Sequence, residues 1–213
     1  LSTSTQLSDL KEIKHLILAV ATDRAGNKSL PIEYAFWSDF TAPNVNISPI
    51  ATPTNMRDIN IPVSATYNIV DPANTLSLFY VLDAEISYKP FISPIPLKNL
   101  ENGTHTVKAY ASDKAGNVGE IKISNPFMVD FMPPTITYTA QPSSNMSTYN
   151  SAKINFSVID NESGVQAYNC KLTLNNIEIP NANCTAGQDV NLSITQNGNY
   201  KFSVTATDKV GNM

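Results

Sequence analysis

Apolar and polar residues alternate along much of the chain in short runs. His105, Val107, Ala109 and Ala111 alternate with Thr106, Lys108, Tyr110 and Ser112. Tyr200, Phe202, Val204 and Ala206 alternate with Lys201, Ser203, Thr205 and Thr207. A period of two with one polar face predicts half-buried strands. The run KINFSVID (153–160) predicts another. Turn signals (ENG, NES, QNG) separate the runs, and no stretch sustains a 3.6-residue period with caps. The pattern predicts an all-β fold.

The runs recur. ATDRAGN (21–27) returns as ASDKAGN (111–117) and ATDKVGN (206–212), so Asp23, Asp113 and Asp208 are spaced by 90 and 95 residues. DFTAP (39–43) returns as DFMPP (130–134), 91 residues on. Leu7, Leu10 and His15 match Leu97, Leu100 and His105, each shifted by 90. Separate markers holding one period define an internal repeat. About seven short strands in roughly 90 residues suggest an immunoglobulin-like sandwich. The repeated turn then lies between the last two strands. Gly26, Gly116 and Gly211 supply positive φ there, and the Asp bonds backbone N–H groups across the turn.

The motif A-T-D-x-A-G-N, followed by a strand and D-x-x-x-P, resembles the tandem Ig-like repeats of large bacterial and archaeal cell-surface proteins. The resemblance covers the whole chain. It implies stalks, adhesins or accessory modules of secreted enzymes, and does not choose among them, because the module is widely reused. The expected fold is tandem Ig-like β-sandwich domains, truncated at both ends. Residues 1–40 read as the last strands of one repeat, 41–131 as a complete domain, and 132–213 as a domain lacking its last strand. Truncation and completion by a strand from a neighbour both account for the missing strand. In the first repeat, Leu16, Leu18 and Val20 stand where the other copies are polar, as either a lateral contact surface or a variant core.

Composition narrows the function. The chain is 42% hydrophobic, enough for real cores, yet only 15% charged, with net charge −4. That argues against nucleic acid, which requires clustered Lys and Arg. The longest apolar run, LILAVA (16–21), has strand length, far short of a membrane span. Neither His15 nor His105 can be set in a catalytic constellation; their counterpart is Tyr200, and a ring bonded to the preceding loop is the expected role. No enzyme activity is expected.

Cys170 and Cys184 lie in NCKLTLNNIEIPNANCT (169–185), a strand, turn and return strand. In an oxidising compartment they pair; otherwise they are two buried thiols. Eight N-x-S/T sequons occur, and Asn27, Asn46, Asn102, Asn145, Asn161, Asn183 and Asn191 are candidates for glycosylation, whereas Asn155 falls within a strand. Calcium is the candidate cofactor. The linker Asp is expected to meet the next turn Asp, gathering Asp39, Asp71, Asp113 and Asn117 in one set, and Asp130, Asp160, Glu162, Asp208 and Asn212 in the other. Hard oxygens in such number suit calcium, and the resemblance to adhesins with calcium-stiffened junctions points the same way.

The expected function is a rod-like structural segment of an extracellular cell-surface protein. Its partners would be neighbouring repeats, surface glycans or other surface proteins. The rival readings are an accessory region of a secreted hydrolase and a carbohydrate-binding module. The latter needs an aromatic platform, and Trp37 is the sole tryptophan.

Overall fold

The computed structural model describes residues 6–67, 75–141, 150–180 and 184–213. It contains strands and turns and, among the described residues, no helix. The strands are β1 (Lys14–Ala19), β2 (Ile32–Trp37), β3 (Asn44–Ile47), β4 (Ile59–Ile61), β5 (Val63–Thr66), β6 (Leu76–Leu82), β7 (Lys89–Phe91), β8 (Ile95–Leu97) and β9 (Gly103–His105). Then follow β10 (Val107–Asp113), β11 (Lys122–Ile123), β12 (Phe127–Val129), β13 (Thr135–Gln141), β14 (Ser151–Ile159), β15 (Val165–Leu174), β16 (Ile177–Glu178), β17 (Asp189–Ser193) and β18 (Tyr200–Asp208).

Two larger sheets have the orders β13-β14-β17 and β16-β15-β18, and a third has the order β11-β10-β6-β7. Shorter pairings join β1 to β2, β3 to β5, β4 to β8 and β9 to β12. The β1–β2, β6–β10, β13–β14 and β15–β18 pairs are antiparallel, as one-face-buried strands joined by short turns allow.

The chain divides into two compact units: residues 1–50, 60–97 and 106–125, and residues 51–59, 98–105 and 126–213. In the first, β10 alternates as its sequence predicts. Val107, Ala109, Ala111 and Asp113 are buried and the residues between them half-buried. Val45, Ile61, Val63, Val81, Ile95 and Leu97 are buried with them. Leu16 and Leu18 of β1 are more than half exposed.

In the second unit the two three-stranded sheets supply a common core of Phe156, Leu172, Val190 and Leu192, flanked by Ile154, Val158, Cys170, Phe202 and Val204. Phe156 of β14 meets Tyr168 of β15 edge-on at 5.8 Å and Phe202 of β18 at 6.2 Å. Aromatic contact between the inner faces of two sheets defines a sandwich. Cys170 and Cys184 are joined by a disulfide, with Cα atoms 6.0 Å apart. The bridged cysteines are 14 residues apart, and closing a loop of that length contributes about 3 kcal/mol by restricting the unfolded chain. Between β15 and β16, Asn175 and Asn176 take φ of 50° and 69°. Positive φ at both central residues makes a tight hairpin turn that asparagine tolerates.

Candidate functional site: the repeated turn and its linker

Each copy of the turn closes on itself in the same way. Asn27, Asn117 and Asn212 donate their backbone N–H to Oδ1 of Asp23, Asp113 and Asp208, each at 2.9 Å. Their side-chain amides donate to Oδ2 of the same aspartates, at 2.8, 2.9 and 2.6 Å. The backbone closes the ring: Asp113 N–H donates to Asn117 O at 3.1 Å, as does Asp208 N–H to Asn212 O. The glycine before each Asn has φ near +92°, +94° and +92°, which favours a residue without Cβ. Asp and Asn are thus a matched pair, a carboxylate that only accepts and an amide that donates from both its backbone and its side chain.

The copies differ in burial. Asp23 is exposed, whereas Asp113 and Asp208 are buried. Donation by the Asn27 side-chain amide, and then by backbone N–H groups, holds the Asp23 carboxyl below its usual range. At Asp208 burial pushes the carboxyl up, but the Asn212 N–H and side-chain amide, with the Val210 and Gly211 N–H groups, outweigh it. That carboxyl also lies below its usual range.

In the two buried copies the asparagine makes a further bond. Asn117 Nδ2 donates to the Asp39 carbonyl at 3.1 Å, and Asn212 Nδ2 donates to the Asp130 carbonyl at 2.9 Å. The linker aspartates are themselves alike. Asp39 Oδ1 accepts Thr41 N–H and Asp130 Oδ1 accepts Met132 N–H, both at 3.1 Å. An aspartate-capped bend, followed by Pro43 or by Pro133 and Pro134, is therefore clipped twice by the turn asparagine.

The two sets of proposed metal-ligating residues are arranged differently. In the first set the Asp113 carboxylate is engaged by its own turn, Asp39 caps its own bend, and Asp71 lies outside the described residues. In the second set Asp130, Asp160 and Asp208 each bring a carboxylate oxygen within 4.8 Å of the others. Asp130 and Asp208 are fully buried and Asp160 half-buried. Glu162 stands outside that trio, on a groove of about 680 Å³ that Asp160, Asn102, Phe131 and Pro133 also line. Asn212 meets the trio through its amide nitrogen, on Asp208 Oδ2.

The histidines act as loop ties. His15 Nε2 donates to the Lys11 carbonyl at 2.9 Å, and His105 Nε2 donates to the Glu101 carbonyl at 3.0 Å, four residues upstream in both cases. His105 also packs against Phe127 of β12, centroids 5.7 Å apart. Among the sequon asparagines, Asn46, Asn161 and Asn191 are exposed, and Asn145 and Asn183 lie outside the described residues. Asn27 uses its amide nitrogen in the turn. Asn102 accepts Phe131 N–H through Oδ1 at 2.9 Å, leaving that bond independent of Nδ2. Trp37 is partly exposed beneath Lys14, whose Nζ lies 5.8 Å from the ring centroid.

Two residues gave no signal in the sequence. Ser163 donates its N–H to Asp130 Oδ2 at 3.0 Å, and its hydroxyl is the buried side-chain oxygen without a partner among the described residues. Gly119 sits where a Cβ would collide with the Pro43 carbonyl oxygen. A serine in a polar loop is commonplace, and the first copy of the turn has Ser29 at the position of Gly119, so the repeat does not single it out.

Residues 94–169 match the bacterial Ig-like domain (group 3) family, a segment holding one turn, its linker and the start of the following sandwich. No curated protein matches the chain. Among solved structures, the FN1–FN3 domains of chicken CNTN1 align over 90% of this chain and 72% of that one, at 14% identity and a TM-score of 0.33. So loose a superposition carries no argument. The strand pattern, the packed sheets of the second unit and the family match together make the fold an all-β, immunoglobulin-like sandwich.

Proposed function

We propose that this chain is a structural segment of an extracellular, cell-surface protein, a run of Ig-like repeats in a stalk, adhesin or surface filament. Ig-like domains are typically non-catalytic, and the family match supports a structural segment. The observation that carries the reading is the clip between turn and linker, made by Asn117 on Asp39 and repeated by Asn212 on Asp130. A repeat that spends its most regular feature on ordering its own linker is suited to spacing and presentation. The neighbouring partners would be further repeats of the same protein, with domain limits near residues 41–131 and 132–213.

Antibodies raised against this chain test the proposal on cells of the source organism. Intact cells should be labelled, and denatured extracts should show a band well above the 23.2 kDa of this chain. Labelling that needs permeabilised cells would rule out the surface assignment. A band carrying a secreted hydrolase activity would favour the accessory-region alternative.

A further inference from the structure

We propose that one face of the β1–β2 hairpin is a self-association surface, and that its partner is a second copy of this chain. The contact does not depend on where the protein resides. In the antiparallel register Lys14, Leu16 and Leu18 stand directly opposite Trp37, Ala35 and Glu33. Residues two apart on a strand share a face, and so do directly opposed ones. These six side chains therefore line one face, and the Lys14 ammonium lies 5.8 Å from the Trp37 ring centroid on it. Leu16 and Leu18 are more than half exposed, and Val20, just past β1, is half exposed.

The opposite face is the inner one of the repeat. His15 stacks on Phe36 with ring centroids 5.1 Å apart, and His105 packs on Phe127 in the following copy. Both are directly opposed pairs of their strands. Beyond His105 the inner positions Val107 and Ala109 are fully buried, so Ile17 and Ala19, 90 residues earlier, belong to a core face. The leucines point the other way. Their counterparts are Thr106 and Lys108 in the second copy, and Lys201 and Ser203 in the third. The sandwich thus forms with polar groups at these positions, and packing within a repeat does not require the leucines. A contiguous exposed apolar stripe of this kind marks an interaction site.

The charges choose the occupant. Lys14 lies at one end of the stripe and Glu33 towards the other, both exposed. Neither joins a salt bridge among the described residues. Two copies can lay this face together about a two-fold axis that crosses the strands. The facing strands then run antiparallel, and the Lys14 end of each copy meets the Glu33 end of the other. The sideways offset between the two charges is about one strand spacing, roughly 4.8 Å, which the long lysine stem spans. One patch supplies both halves of the contact, as an isologous interface requires. A wholly apolar partner would bury both charges unpaired, and a partner of one sign would repel one of them. A standard interface uses roughly 20–30 residues a side; this face is far smaller, so the association is weak.

Sedimentation equilibrium of the whole chain at low ionic strength tests the contact, because salt would screen the paired charges. A monomer–dimer equilibrium with a dissociation constant of about 0.5 mM or tighter is expected. Glu33→Lys and Lys14→Glu should each weaken it by about fivefold or more, since like charges then meet. An equimolar mixture of those two variants should recover the original constant to within about twofold, because each altered charge then faces its opposite. Leu18→Lys, which installs the residue of the second copy, should weaken association by about tenfold or more. Ile17→Thr, on the inner face, should change it by less than about twofold. Far-UV circular dichroism checks the fold of each variant, and recovery in the mixture shows independently that both charge variants keep the hairpin. A chain that stays monomeric at about 1 mM overturns the proposal. So do species that grow past a dimer, a mixture that associates no better than its components, or a loss with Ile17→Thr as large as with Leu18→Lys.

Discussion

Three asparagines with identical roles inside their turns differ in what surrounds them. Asn27, Asn117 and Asn212 each close a ring on an aspartate four residues earlier. Asn117 and Asn212 reach a linker carbonyl as well. The value of a hydrogen bond depends on what its loss leaves behind, since a buried unsatisfied partner costs more than an exposed one that water can serve. Asn117→Ala strips a donor from the buried Asp113 and from the Asp39 carbonyl, and should destabilise the first unit by about 1–3 kcal/mol. Asn27→Ala sits in an exposed turn, where substitutions usually stay within about 0.5 kcal/mol. Hydrogen exchange would show it. Asn117→Ala should accelerate exchange at Asp113, Gly116 and Gly119, whose N–H groups hold this turn, while Asn27→Ala should act only at its own turn. Equal effects at both sites would mean that the linker bond contributes nothing.

Elements show where local chemistry gives way to packing. Gly119 N–H donates to the Ala111 carbonyl at 2.8 Å, just past the end of the turn. A Cβ there would strike Pro43 O and lie 3.2 Å from Ala111 O, both backbone atoms with little room to yield. Gly119→Ala should therefore cost about 1–3 kcal/mol in chemical denaturation of the first unit, the usual range for overpacking. Neutral behaviour would mean that the approach of Pro43 is loose in solution. The strands themselves were legible in the sequence because period two marks a buried face directly: β10, β14 and β18 lie where the alternation put them. The cysteine hairpin was legible too, since Asn175-Asn176 is a turn signal in its own right. Gly119 was not, because its constraint comes from a chain segment 76 positions earlier (119 − 43) that no local pattern reports. The carboxylate trio was partly legible. The loop placement of an Ig-like fold carried Asp130 and Asp208 to each other, but it could not distinguish Asp160 from Glu162 within one loop, nor reveal that the Ser163 hydroxyl would be stranded.

Across the whole molecule the carboxylates set the response to acid. Several have folded-state values below their ordinary range: Asp23, Asp58, Glu120 and Asp189, all exposed, and Asp208, fully buried. A carboxyl whose value falls on folding stabilises the folded chain at any pH above its unfolded value, about 4. That contribution disappears as pH drops through the lower folded value, because the folded carboxylate must then take up its proton. Stability should thus be nearly level from neutrality to about pH 5 and fall below about pH 4. Exposed carboxylates are screened by water and salt, so they contribute only weakly to that slope. Asp208 is held by three donors in a buried setting, and it should account for a disproportionate part of the fall. Asp208→Asn separates the charge from the shape. The new amide would face the Asn212 amide donor to donor, so the variant should be less stable at pH 7 by about 1–3 kcal/mol. Having no proton to bind, it should also lose less between pH 5 and pH 3, and the gap to the unaltered chain should narrow. Thermal midpoints measured across that range in calcium-free buffer would show the convergence. Two parallel curves would instead mean that Asp208 contributes by geometry alone, and that the acid limb belongs to the exposed groups.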